Sequence, residues 1–441
     1  MRAKRTHQMS IYEAFAEHEI GQELKTISEW LDRHVEVLEW VADDIQRKHL
    51  KRTGRGGMSI ESILRCGLLK QHWQWSYEVL SFHLSDSATA AAFARLPNSI
   101  CPTDSALQGV IVMIRGETWE RINRALVKDA LSNSLETLKQ ARIDSTVTET
   151  LIHTPWDSTL LGDAERVLER LMTEAREHNP QLRYTCHRRV VKKQIRAIRT
   201  GKGEESRRAH YGKLICCVRQ TLGAVQAEIA TQQQSQDWMN RAEHYVELSG
   251  RIIDQAFRRM IKGEKVAAAD KIVSVFEPHT DIIVKDRRDT QYGHKLNLTT
   301  GKHGMALDVV IEVGNPADSS RLLPMIRRIR ECYGKLPRQV AADAGYASKE
   351  NIREAKALGI KAVGLPRKRG MSVEEMTGSE WIYRKLKRFR AGIEGNISML
   401  KRIFWLDRCT WRGLEHFQAY VMSAVLAYNF KLFARLSRQT L

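Results

Sequence analysis

The stretch "ARIDSTVTETLIH", residues 141–153, constrains the fold more than any other, because the texture of the chain changes there. Before it, apolar residues recur at helical spacing. Leu24, Ile27, Leu31, Leu38 and Val41 share such a pattern, which predicts a helix from Ile20 to Leu50. Ser59 and Thr103 stand where N-caps of further helices belong, and "TWERINRALVKDALSNSLETL" continues the helical reading. Within 141–153 β-branched residues cluster, and Ile143, Thr146 and Thr148 suit a strand. Helical texture, polar and basic, then returns from about 160 to 263. Strand-like runs resume only with "KIVSVFE", "YGHKLNLTTGKHG", "MALDVVIEVGNPAD", "PRQVAADAGY" and "IKAVGLP". Among them lie the amphipathic helices "SSRLLPMIRRIRECYG" and "SKENIREAKALG", and helices over 384–404 and 411–437 close the chain.

A single early strand must therefore rejoin its partners across a long helical excursion. The prediction is an α/β core, a mixed sheet flanked by helices, with an all-helical N-terminal domain and a helical insertion between the first and second strands. The boundaries read as 1–137 for the helical domain, 138–160 and 264–441 for the core, and 161–263 for the insertion.

At 441 residues with 42% hydrophobic content, the chain can fill two or three cores. Its formal charge of +19 is spread along the whole length, so a polyanionic partner is expected, nucleic acid first. The densest basic stretch is Arg188–Lys213, with ten Lys and Arg against two Glu, and Arg188, Arg189, Lys192 and Lys193 lead it. These bases, together with the helices of 59–137, are the expected DNA-binding surfaces. Seven cysteines without a C-x-x-C pair argue against a disulfide framework or a zinc ribbon and fit a reducing cytoplasm. The N-terminal residues lack an apolar signal region and no apolar run approaches a membrane span, so no membrane partner is expected.

Three carboxylates stand out by position. Asp144 interrupts the first strand, Asp343 ends the buried strand "QVAAD" with Gly345 close behind for a turn, and Glu394 is the one acid among seven Lys and Arg in Trp381–Phe404. Strand ends of an α/β sheet hold side chains rigidly and leave room for a ligand. Three acids that converge repel unless cations neutralise them, and oxygen-only ligands select Mg²⁺ or Mn²⁺. Two such ions side by side can serve phosphodiester chemistry, one at the attacking and one at the leaving oxygen. The plainer readings are a turn Asp, an edge Asp, and a Glu394 that pairs with Arg390 one turn back. Asp157, Asp286, Asp289, Asp308 and Asp318 are weaker candidates, with Asp318 the reserve ligand. His153, His279, His294 and His303 have no zinc spacing. Trp405 and Trp411 read as core, and Gly392 and Gly395 as places where backbone approaches DNA or a neighbouring strand.

"VAADAGYASKENI" and "RFRAGIEGNISMLKR", the latter with Arg390, Glu394 and Lys401 spaced R-x3-E-x6-K, resemble the second and third signature regions of DDE-type bacterial insertion-sequence transposases, ISNCY-like members in particular. "RIDSTVTETLIHTP" is similar to their first region. The resemblance implies an RNase H-like core with Asp144, Asp343 and Glu394 as catalytic metal ligands for two Mg²⁺ or Mn²⁺ ions. It also implies that Arg390 and Lys401 contact DNA phosphates. The chain departs from the signature at Lys387, where the family has Tyr; a Lys still reaches a phosphate but does not stack. The implied activity is cleavage at the terminal inverted repeats of the element and joining of the 3′-hydroxyl ends to target DNA, by a homodimer in a synaptic complex within the bacterial cytoplasm. The rival readings are a stand-alone nuclease on the same core and a catalytically inactive, transposase-derived DNA-binding protein.

Overall fold

The computed structural model describes residues 18–47, 57–96, 101–285, 289–368 and 370–440. By contact the chain groups into two compact units, 1–149 with 294–441, and 150–293. The sequence reading divides it by texture into three; packing draws its borders near 149 and 294.

Among the described residues, seven helices precede the sheet in the first unit: α1 (Glu19–Arg33), α2 (Glu36–Gln46), α3 (Ile60–Trp73), α4 (Tyr77–Asp86), α5 (Ala88–Ala94), α6 (Asp104–Ile111) and α7 (Gly116–Ser132). The helix predicted over 20–50 is two helices, because His34 leaves helical geometry at φ −107°, ψ 65°. Its end beyond Arg47 lies outside the described residues. Ser59 caps α3 by accepting from the Ser62 amide, and Thr103 caps α6 by accepting from Ala106. α3 is enclosed along almost its whole length, Arg65 and Lys70 included, so its bases do not form the DNA surface expected of 59–137. Arg65 is instead held by Glu61, Asp32 and Ser28.

In chain order there follow β1 (Gln140–Thr150), α8 (Asp157–His178), α9 (Arg188–Thr200), α10 (Glu204–Thr231), α11 (Gln236–Ala256), β2 (Asp281–Lys285), β3 (Asp289–Thr300), β4 (Ala306–Ile311) and α12 (Leu322–Tyr333). Then come β5 (Gln339–Ala342), α13 (Lys349–Ala357), β6 (Ala362–Gly364), α14 (Val373–Thr377), α15 (Glu380–Ile403), β7 (Arg408–Cys409) and α16 (Leu414–Thr440). In the first unit β1 is central, with β3 on one side and β5 then β6 on the other; β4 adds to β3, and β7 to β1. β1, β5 and β6 run parallel in register Ile143↔Ala342 and Ala341↔Gly364, while β3 and β4 are antiparallel. Parallel strands need covering on both faces. α12 and α13 contribute one apolar cluster with Ile143, Val340 and Ala342, and Leu386 of α15 packs with Ala341 and Ala362.

The C-terminal helix α16 lies against α7, α3 and α1, so the first and last segments of the chain share one core. Its buried Asn429 joins that bundle to the sheet: the amide accepts from Ala306 N at 2.8 Å and donates to Ala306 O and to Asn123 of α7. Fully paired polar groups of this kind specify one arrangement, since any shift strands them without partners.

The second unit is built on α8–α11, whose core includes Leu161, Leu168, Leu214, Val218 and Ile252, with Trp238 donating to Leu171 O at 3.0 Å. The predicted strand "KIVSVFE" is not one. Residues 271–277 run irregularly, with Val273 and Val275 buried, and β2 starts at Asp281, where it pairs antiparallel with the first residues of β3. The apolar run marks burial there, and burial does not require a ladder.

Candidate active site

The register of β1 and β5 sets two predicted acids side by side. Ile143 and Ala342 are Cα partners, and the next residues along each parallel strand are Asp144 and Asp343. Adjacent strands lie about 4.8 Å apart, so Asp144 and Asp343 stand level on neighbouring strands where β5 ends. Both are half-buried. One Asp144 oxygen accepts from the amide of Ser145 at 2.7 Å. Asp343 follows β5 directly and precedes a single 3-10 turn, Ala344–Tyr346.

Glu394 reaches this edge through Arg390. The Arg390 guanidinium lies 3.4 Å from Asp343 Oδ1 and donates to Glu394 Oε1 at 3.1 Å. The one-turn pair weighed from the sequence is therefore present, and the same cation also spans to the end of β5. A lone Arg–Glu pair on a helix contributes only about 0.3–0.5 kcal/mol; a guanidinium between two acids offsets the repulsion that gathering them creates. Glu394 is 65% exposed and Asp343 48% exposed, so both can exchange this partner for another cation. Among the described residues no three His, Cys, Asp or Glu side chains are close enough to enclose a metal ion. The donor chemistry, carboxylate oxygens only with a cation already accommodated between two of them, fits a hard divalent ion.

What holds α15 over the sheet is Arg142, two residues before Asp144 and not singled out by the sequence reading. It is 8% exposed. Its Nε donates to Thr300 Oγ1 at 2.9 Å, Nη1 to Phe389 O at 2.9 Å, and Nη2 to Asn396 Oδ1 at 2.6 Å. Its guanidinium also lies over the Phe389 ring, 4.7 Å from the centroid. Asn396 is itself oriented, donating to Tyr428, whose hydroxyl donates to Gly304 O at 2.8 Å. Gly392 is explained by this strut: a Cβ there would overlap Arg142 Nη1. Gly395 has open space around it. The available signal was an Arg inside an apolar strand, which needs buried partners to remain there.

Gly345 is likewise a matter of room. A Cβ at this position would come within 2.7 Å of Asp318 Oδ2, while its φ is not among the positive ones. Asp318 pairs with the buried Lys295 at 2.6 Å, so the reserve ligand already has a cation. Beneath the acids Tyr346 donates to Asn297 Oδ1 at 2.5 Å. Burial first, then the charges of Asp318 and Asp144, push its phenol far above the ordinary value of 10.0.

The other candidates separate cleanly. Asp308 is gripped by both arms of Arg328, at 2.6 and 2.8 Å, and Asp157 pairs with Arg259 within the second unit. Asp289 is exposed, and Asp286 lies outside the described residues. His153, His279 and His303 pair with Asp163, Glu277 and Glu136 respectively, and His294 packs edge-on against Phe417. Lys401 is paired with Asp407 at 2.9 Å, whereas Lys387 is exposed without a partner among the described residues. Arg188, Arg189, Lys192 and Lys193 are all exposed on α9. Trp411 packs against the core as expected. Trp405 does not: it is 52% exposed, at a left-handed φ of 51° just after α15, because the chain must turn there to enter β7.

Residues 271–430 match the family model described as Transposase DDE domain. Over this span, 160 of its 441 residues, the chain is similar to DDE transposases. The matched span contains Asp343, Lys387, Arg390, Glu394 and Lys401; Asp144, the helical N-terminal segment and α8–α11 lie outside it. Neither the comparison with curated proteins nor that with solved structures returned a match. Among the described residues no helix is long and apolar enough to cross a membrane.

Proposed function

We propose that this protein is a DDE transposase that cleaves DNA at the ends of its own element and joins the freed 3′ ends to target DNA, with Asp144, Asp343 and Glu394 as the catalytic acids. The observation that carries the reading is the bridge from Arg390 to Asp343 and Glu394, with Asp144 one residue past the Ile143–Ala342 pair on the strand next to β5. The order of the strands, with β1 central between antiparallel and parallel partners, supports an RNase H-like core.

Both reactions are attacks of an oxygen on phosphorus. In cleavage a water oxygen forms the new P–O bond and the 3′ oxygen leaves; in joining that 3′-hydroxyl attacks a target phosphodiester and displaces another 3′ oxygen. Asp144, Asp343 and Glu394 would hold divalent cations, Mg²⁺ or Mn²⁺ with two expected, which when bound neutralise the phosphoryl oxygens and activate the attacking one. The chain's own task is orientation and charge. Arg142 holds the helix of Glu394 at a fixed height over β1, Arg390 keeps the acids compensated, and Lys387 offers a free ammonium to a phosphate nearby. Arg188, Arg189, Lys192 and Lys193, exposed at the start of α9, bind backbone phosphates without reading sequence. Because two DNA ends have to be joined, the working form is a homodimer on the paired terminal repeats.

The test uses purified full-length protein and oligonucleotides carrying the terminal repeats that flank its gene, with Mg²⁺ or Mn²⁺. Asp144→Asn, Asp343→Asn and Glu394→Gln should each abolish cleavage and leave end binding within about twofold. Cutting that ignores the repeats and yields no joined product supports a stand-alone nuclease. Binding without any cleavage by the wild type supports an inactive descendant.

A further inference from the structure

The second unit contains a groove that the proposed chemistry does not use. A cavity of about 1250 Å³ is lined by Trp156, Arg199, Arg207, Arg208 and Arg259, and an adjoining one of about 310 Å³ by Arg188 and Lys192; His153, Thr159 and Arg199 border both. The two hollows therefore run into each other along α9. α9 buries Val191, Gln194 and Ile198 against its own unit, which turns its bases outward.

Most of this charge is not spent internally. Arg199, Arg207 and Lys192 have no carboxylate partner among the described residues, and Arg208 has only a long, exposed pair with Glu204 at 3.7 Å. Arg259 alone is tightly paired, to Asp157 at 2.6 Å. In the wall of the same groove Trp156 is 63% exposed, an unusual state for the largest apolar side chain. Unpaired guanidinium groups beside an exposed aromatic face are what a nucleic-acid strand with accessible bases requires: phosphates on the cations, a base stacked on the ring.

The exposed ring favours one strand over two: bases of a single strand are free to stack on Trp156, whereas those of a duplex are already stacked and paired.

We propose that this groove binds single-stranded DNA, with Arg199, Arg207 and Lys192 on successive phosphates and Trp156 stacked on a base. The inference takes from the transposase reading only that DNA is the partner, and its test involves no cleavage. Full-length protein is titrated with a fluorescent oligo-dT strand and with a blunt duplex of equal length, and a 5-iododeoxyuridine version of the strand is photo-crosslinked and mapped by peptide mass. All substituted side chains are exposed, so melting curves of the variants should overlay the wild type. Trp156→Ala should weaken the single strand about 5- to 150-fold, the range for losing one stacked base. The double variant Arg199→Ala/Arg207→Ala should lower the slope of log affinity against log salt by about 1.4, at 0.7 per phosphate. Duplex affinity should stay within about twofold, and the crosslink should fall on the peptide that carries Trp156. Unchanged single-strand affinity and salt slope in both variants, a crosslink elsewhere, or equal losses for duplex and single strand would each overturn the proposal. Absence of cleavage by the wild type would refute the transposase chemistry without touching this result.

Discussion

Gly392 and Gly395 lie three residues apart in the interior of one helix, and their replacement by Ala should have opposite effects. In a helix interior Ala is favoured over Gly by about 1 kcal/mol. Nothing lies within 4 Å of a Cβ built at Gly395, so Gly395→Ala should stabilise by up to that amount. At Gly392 the new methyl would overlap Arg142 Nη1 and lie 3.0 Å from Cζ, and the guanidinium must move. Moving it breaks the bonds to Phe389 O and to Asn396 Oδ1. Hydrogen bonds from charged groups contribute roughly 1.5–3 kcal/mol each, so the pair amounts to about 3–6 kcal/mol, and the propensity gain leaves a net loss of about 2–5 kcal/mol. The assay is hydrogen exchange of the α15 amides together with urea unfolding, because a chain of two units need not unfold in one step. The cycle with Arg142→Met is decisive: in that background Gly392→Ala should lose its penalty. If both glycine variants stabilise equally, or if the penalty persists without Arg142, the strut argument is wrong.

Other predictions follow from neighbouring observations. Arg390→Lys should not replace Arg390, because a single ammonium cannot span Asp343 and Glu394 as the fork does; cleavage should fall at least tenfold and need more Mg²⁺, and an unchanged Mg²⁺ dependence would refute this. Charge reversal of Arg188, Arg189, Lys192 and Lys193 should weaken duplex binding and flatten its salt dependence, and an unaltered slope would remove this helix from the DNA surface. In the second unit, burial raises the Glu165 carboxyl from 4.5 to about 7, Thr221 opposing the shift by donating to it at 2.8 Å. A raised folded pKa means that the associated stability is complete below about 4.5 and is lost as pH rises through about 7. Relative to Glu165→Gln, the wild type should therefore lose melting temperature across that window; parallel melting curves against pH would contradict the burial argument.

Much of the architecture was legible because local rules were obeyed. β-branched clustering marked β1, capping residues marked α3 and α6, and the helical texture of 160–263 matches α8–α11. The misreadings arose where tertiary contact overrides pattern. Val273 and Val275 are buried without a strand partner, His34 breaks a periodicity that continues beyond it, and Trp405 stays exposed because of the turn into β7. Arg142 escaped notice because an Arg in a strand says nothing of partners found 247 and 254 residues away.

By itself the sequence singled out the residues proposed to carry the chemistry. It supplied acids at a strand, a strand end and a basic helix, and an excess of positive charge suited to a polyanion. Local spacing is enough for such statements, because composition and periodicity act over a few residues. Only the tertiary structure decided that Asp144 and Asp343 are neighbours in register, that Arg390 spans two acids, that Gly392 is needed to admit Arg142, and that bases from α9 and α10 share a groove with Trp156. Those are facts about distance between residues remote along the chain, and the packed sheet and helices set them.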